Sequence, residues 1–206
     1  MEKPDKRLSI LAAAEKLFSE MGYEGTSTRQ IAKEAGANMS MINYYFGSKE
    51  GVFLEIMNER IKGFNAQLVS INEDRITPLQ KLVRVIEEYT TRILNNIAFH
   101  KMMHRELSLA QRPEMYCKLK DAISANLIVI EKIISEGIET GTFRPVDVRM
   151  LISTIMGTIT SVATTPSKVT EGSNLDITIP KDREILTQRL IVHLKDLVTT
   201  YLTPQQ

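Results

Sequence analysis

The stretch from Gly25 to Gly51 constrains the fold more than any other part of this chain. Its helix starts and stops lie so close together that only short helices and tight turns fit between them. Thr26, Ser27 and Thr28 offer hydroxyls where a helix begins, and such side chains satisfy the backbone N–H groups that a first turn leaves over. Ile31, Ala32 and Ala35 follow at helical spacing. Gly36 suits the left-handed conformation that ends a helix. Asn38 then caps a second helix, Met39 to Tyr45, which Phe46-Gly47 breaks, and Ser48 starts a third. Two short helices joined by a tight glycine turn are the helix-turn-helix pattern, whose second helix enters the major groove of DNA.

The flanks extend the pattern. Ile10, Leu11, Ala14, Leu17, Phe18 and Met21 repeat at helical spacing until Gly22, and this first helix braces the pair from behind. From Ser48 a long fourth helix of about twenty residues carries Phe53, Ile56, Met57, Phe64 and Leu68 inward. Leu8 to Gly51 resembles the DNA-binding domain of the TetR family, the tetracycline-repressor-like regulators. The resemblance rests on Ile10-Leu-Ala-Ala-Ala, Leu17-Phe18, Gly22-Tyr23, Thr26-Ser27, Ile31-Ala32, Ala35-Gly36 and Tyr45-Phe46-Gly-Ser-Lys-Glu50, taken in order. Three positions depart from it. Ser40 stands where the family commonly has Gly, Asn43 where it has Tyr, and Tyr45 where it has His. The second helix is therefore expected to see a base sequence of its own.

Beyond this region every segment reads as helix. After the weak region Asn72 to Thr77, Thr77-Pro78 opens a helix with Leu79, Leu82, Val83, Ile86, Ile93, Leu94 and Ile97 toward a core. Another spans about 99–110 and ends at Arg112-Pro113. Leu119, Ile123, Leu127, Ile130, Ile134 and Ile138 mark a long helix closed by Gly141. Residues 150–163 are apolar almost all round, the mark of a helix buried on several sides. Residues 166–180 read as a loop, and Leu186, Leu190, Leu194, Leu197 and Tyr201 form one stripe on a last helix. The expected fold is all-α, about nine helices, with a helix-turn-helix domain at 1–50 and a helical effector-binding and dimerisation domain at 51–206.

Charge does not announce a nucleic-acid binder. Net charge is +1, and residues 1–62 hold nine Lys or Arg against nine Asp or Glu. Phosphate neutralisation supplies much of DNA affinity, so positive charge has to be concentrated by placement. Cys117 is the only cysteine, and the charged residues Glu2, Lys3, Asp5, Lys6 and Arg7 do not read as a secretion signal. Both features fit the cytoplasm. The longest apolar run, Leu151 to Ala163, is too short to span a bilayer.

Met39, Ser40, Asn43 and Tyr44 are expected to face outward from the second helix and read bases, Asn as a bidentate partner of adenine and apolar groups against thymine methyls. Thr28, Tyr45 and Lys49 are placed to hold phosphates, with Thr26 and Arg29 in the same DNA-facing set. The alternative is a polar helix surface with no DNA role, and for Tyr45 packing inside the small domain. His100 and His104 have zinc-compatible spacing, but Lys-Met-Met lies between them and no Cys-x-x-Cys supports a metal. They suit a cavity or helix contact better, and no metal or cofactor is expected.

The resemblance implies an effector pocket in the second half, for which Phe99, Met102, Met103, His104, Tyr116, Met150 and Met156 are candidates. Met adapts to varied ligands, although plain core is an equal reading of each. It also implies a four-helix dimer interface, which Ser153, Gly157 and Ser161 on one helix and Leu186, Leu190, Leu194, Leu197 and Tyr201 on the last would build. An internal helix pair is the alternative. Gly-x-Ser-x-Gly, a P-loop and Gly-x-Gly-x-x-Gly are all missing, so no catalytic residue is proposed. The expected function is a homodimeric repressor that leaves palindromic operator DNA when a small, mostly apolar effector binds. The runner-up is a helical binding or scaffold protein whose helix-turn-helix contacts protein rather than DNA.

Overall fold

A computed structural model of the chain describes residues 5–108 and 113–204, the side chains at 107 and 108 excepted. The described residues form ten helices and no strand. They are α1 (Lys6–Gly25), α2 (Thr28–Glu34), α3 (Met39–Phe46), α4 (Lys49–Glu73), α5 (Pro78–Leu94), α6 (Ile97–Ser108), α7 (Pro113–Glu139), α8 (Val148–Thr164), α9 (Ser167–Thr170) and α10 (Pro180–Leu202). The expected helix end near 110 and Arg112 lie outside the described residues. The helix beyond the expected nine is α9, a single turn inside the 166–180 loop. No described helix is long and apolar enough to cross a membrane. By packing, the chain divides into two compact units: Met1–Phe64 with Ala98–Ile123, and Asn65–Ile97 with Ser124–Gln206. This division falls elsewhere than the expected residue 50. The first unit follows α4 to Phe64 and takes in α6.

The first unit is built on an aromatic centre. The Phe18, Tyr23 and Phe53 rings lie 5.2–5.7 Å apart, and Ile10, Ile31, Ile42 and Met57 are fully buried around them. Phe99, Met102, Met115 and Leu119 join the same core. Each such side chain stabilises the fold by about 1.5–3 kcal/mol, an upper figure because unfolded chains bury some surface too. At Gly22 (φ 76°, ψ 169°) the backbone leaves helical geometry, in a region open in practice only to glycine, and this turns α1 toward α2. A Cβ on Gly51 would stand 1.9 Å from the carbonyl oxygen of Phe46. The start of α4 thus packs on the end of α3 at a distance that only glycine permits.

The second unit is a layered bundle in which α10 and α8 both pack on α5. Thr77 and Gln80 form a reciprocal cap that starts α5, with Pro78 in its first turn. Leu82, Ile86, Ile134, Ile159 and Leu194 are fully buried at its centre.

Candidate nucleic-acid interface

The helix-turn-helix is fixed by local chemistry at each corner. Ser27 and Gln30 cap α2 reciprocally. Gly36 takes φ 57° at the turn, and Lys6 Nζ donates to its carbonyl at 3.0 Å. The Asn38 side-chain oxygen accepts from the Met41 N–H at 2.9 Å and starts α3. The Ser48 hydroxyl accepts from the Gly51 N–H at 3.0 Å and starts α4. Ile31, Ala32 and Ile42 are buried beneath, so the opposite faces of α2 and α3 are outward.

Met39, Ser40, Asn43, Tyr44 and Tyr45 are all exposed on α3, as the helical spacing predicts. Tyr44 is 84% exposed, an unusual position for an aromatic ring, and its nearest aromatic neighbour is the Tyr45 ring at 5.1 Å. The Ser40 hydroxyl is engaged, donating to the Asn38 side-chain oxygen at 2.9 Å. Arg29 and Lys33 are exposed four residues apart on α2, with Thr28 half-buried beside them.

Two expectations change. Thr26 is 1% exposed, and its hydroxyl donates to the carbonyls of Gly22 at 2.8 Å and Leu17 at 3.1 Å. It closes the end of α1 instead of facing outward. Lys49 donates to the carbonyls of Tyr23 and Thr26, both at 3.0 Å, and its ammonium lies 4.3 Å from the centre of the Tyr23 ring. Burial lowers its pKa below the ordinary lysine range, and the nearby Glu106 carboxylate opposes that. The expected phosphate contact is thus an internal tie from α4 to the α1–α2 corner.

Pairing also accounts for the neutral charge balance. Glu55 and Glu59 pair with Arg7, Glu15 with Arg60, Glu34 with Lys16 and Glu50 with Lys118. These pairs occupy five carboxylates, while Arg29 and Lys33 stand on the outward side of α2.

In the second unit an apolar cavity lies among α5, α7 and α8, lined by Leu82, Val85, Ile86, Tyr89, Ile130, Ile152, Ile155 and Met156. Its free volume is ≈ 10 Å³, about one water. The Tyr89 hydroxyl bonds to Thr160, and burial raises its pKa. Of the expected pocket residues, only Met156 lines this cavity. Phe99 and Met102 are core of the first unit, and Met103 packs against that core. His104 is exposed, Tyr116 is 44% exposed and Met150 63%, so none of these three is enclosed. Tyr89 was not singled out by sequence, although Leu82, Val85, Ile86 and Tyr89 share one helical stripe. No group of three metal-ligating side chains occurs among the described residues.

The α10 stripe also has a different partner from the one expected. Leu186, Leu190 and Leu194 are buried within the chain, where α10 packs on α5, and Leu197 is half-buried. The outward face of α10 carries Ile185, Gln188, Val192 and Asp196, with Tyr201 at its end. On α8, Ser153 and Gly157 are exposed and Ser161 is half-buried. Thr154 and Thr158 donate their hydroxyls to the carbonyls four residues earlier, which satisfies the polar atom.

A capped helix pair on a small aromatic core, with one face of an uncharged second helix outward, defines a helix-turn-helix DNA-binding protein. Residues 10–56 match the model of bacterial regulatory proteins of the tetR family, and residues 75–164 match the tetracyclin repressor-like C-terminal domain. The fatty acid metabolism regulator protein of Bacillus subtilis is 27% identical over 165 residues, 80% of this chain and 84% of that protein. The transcriptional repressor NicS of Pseudomonas putida is 33% identical over 148 residues, 67% of this chain and 66% of that one. The crystal structure of FadR from B. subtilis in complex with stearoyl-CoA superposes with a TM-score of 0.74 at 24% identity, covering 91% of this chain and 96% of FadR. The chain belongs to the TetR family of bacterial regulators. It is a DNA-binding transcriptional regulator that responds to a ligand.

Proposed function

We propose that this protein is a homodimeric repressor that occupies a palindromic operator and leaves it when a long-chain acyl compound enters the second unit. The observation that carries the effector class is the cavity itself, whose lining is aliphatic except for Tyr89 and Met156. A relative of similar fold holds stearoyl-CoA. With room for about one water, the cavity must open for an acyl chain to enter, and parting α5 from α8 is the direct way. By linkage, an effector that weakens DNA binding binds less well to the DNA-bound form, and a tenfold effect needs only about 1.4 kcal/mol of coupling.

In this reading the helix-turn-helix of the first unit docks on DNA, and the second unit binds effector and dimerises. Asn43, Met39 and Tyr44 face bases, while Arg29, Thr28 and Tyr45 face phosphates. The outward faces of α8 and α10 meet their copies in the dimer, with Met150, Ser153, Gly157, Val192 and Tyr201 in the seam. The protein works in the cytoplasm and is not an enzyme. Binding of full-length protein to the DNA upstream of its own gene, with and without palmitoyl-CoA, tests the reading. A protected palindrome that is released by the acyl compound is the expected result.

A further inference from the structure

We propose that the base pairs beneath α3 are A·T pairs, with Asn43 on an adenine and Met39 and Tyr44 against thymine methyls. This rests on the DNA-binding reading above and adds the class of sequence read. From Met39 to Phe46, α3 carries no Lys, Arg, Asp or Glu. Guanine presents two acceptors in the major groove and is matched by Arg or Lys, and the cytosine amino group is matched by a carboxylate. Neither chemistry is present on this helix.

The side chains that are present select the other pair. A carboxamide offers one donor and one acceptor, which fit adenine N7 and its amino group. Turned to guanine, its oxygen would face an acceptor. The Ser40 proton is committed to the Asn38 cap at 2.9 Å, so Ser40 can only accept, from an adenine or a cytosine amino group alike, and does not discriminate between them. That leaves the exposed Asn43 as the helix's polar reader. Met39 is 42% exposed and Tyr44 84%, so the helix shows apolar surface to either side of Asn43. Of the four bases only thymine presents a methyl group there.

The nearby cations lie elsewhere. Arg29 and Lys33 are on α2, the helix that crosses the phosphate backbone in this motif. Lys49 is tied to the Tyr23 and Thr26 carbonyls.

The test selects sites from random duplex DNA with the full-length protein and with Asn43→Ala, then repeats binding on the best site with single-atom analogues. Positions whose preference is lost in Asn43→Ala are expected to be A·T in the parent motif. Replacing the contacted adenine by 7-deazaadenine is expected to weaken binding about tenfold, and replacing neighbouring thymines by uracil a few-fold. The uracil effect is expected to vanish in Met39→Ala or Tyr44→Ala. G·C pairs at the Asn43-dependent positions, or indifference to both analogues, would overturn the assignment while leaving a DNA-binding protein. No selected sequence at all would overturn the DNA-binding reading with it. The analogue series uses the unaltered protein and stands even if a variant fails to fold.

Discussion

The ammonium of Lys49 sits over the Tyr23 ring, 4.3 Å from its centre, while donating to the Tyr23 carbonyl at 3.0 Å. One side chain thus fixes the beginning of α4 to the corner where α1 turns at Gly22. Lys49→Ala removes this contact and its bonds to two carbonyls, of which Tyr23 keeps the Thr26 N–H as a donor. The expected cost is about 1–3 kcal/mol, a fall of several degrees in Tm. The salt slope of DNA binding, measured where the variant is still folded, should not change.

Arg29→Ala is the complementary case. Arg29 is exposed on α2, and its loss should leave Tm within a degree or so while lowering the salt slope by about 0.9, one phosphate's worth. A slope that fell for Lys49→Ala and not for Arg29→Ala would reverse the two roles.

Gly51→Ala should be among the most damaging small substitutions in the first unit. The added methyl would stand 1.9 Å from the Phe46 oxygen, and backbone has to move to admit it. Circular dichroism is expected to show helix retained, with Tm lowered by more than the ~2–4 °C that 1 kcal/mol produces in a protein of this size. DNA binding should be lost, because α3 no longer holds its angle to α2.

The helices were largely legible in the sequence, and their partners were not. Phe53, Ile56, Met57, Phe64 and Leu68 were expected to face inward from α4, and all five are buried. Helical periodicity and the Ser, Thr and Asn caps carry that information locally. Leu186, Leu190 and Leu194 were also correctly read as one stripe, yet the stripe packs on α5 of the same chain. Periodicity gives the face of a helix and not what covers it. Thr26 and Lys49 failed for the same reason, since a hydroxyl or an ammonium near a helix start suits an internal carbonyl as well as a phosphate. The single-turn α9 leaves no periodic signal to read.

Leu194 and Val192 separate core from interface. Leu194 is fully buried in the chain and Val192 is 65% exposed on the outward face of α10. Leu194→Glu should unfold the second unit, because an unpaired buried carboxylate costs several kcal/mol. Val192→Glu should fold normally and sediment as a monomer. Dimeric Val192→Glu would move the seam off this face.

Val85→Ile, which adds a single methylene to the α5–α8 cavity with its room for about one water, should fill it. Operator affinity is expected to stay within about twofold, while the acyl concentration needed for release rises at least tenfold, or about 1.4 kcal/mol. An unchanged response would place the effector elsewhere.

The central claim is that one chain couples an apolar ligand to release of DNA. Titrating the operator with full-length protein by fluorescence anisotropy, with and without saturating palmitoyl-CoA, tests it most directly. At least a tenfold rise in Kd with the acyl compound is predicted. Equal Kd values in the two titrations, with binding of the acyl compound verified by calorimetry, would contradict it.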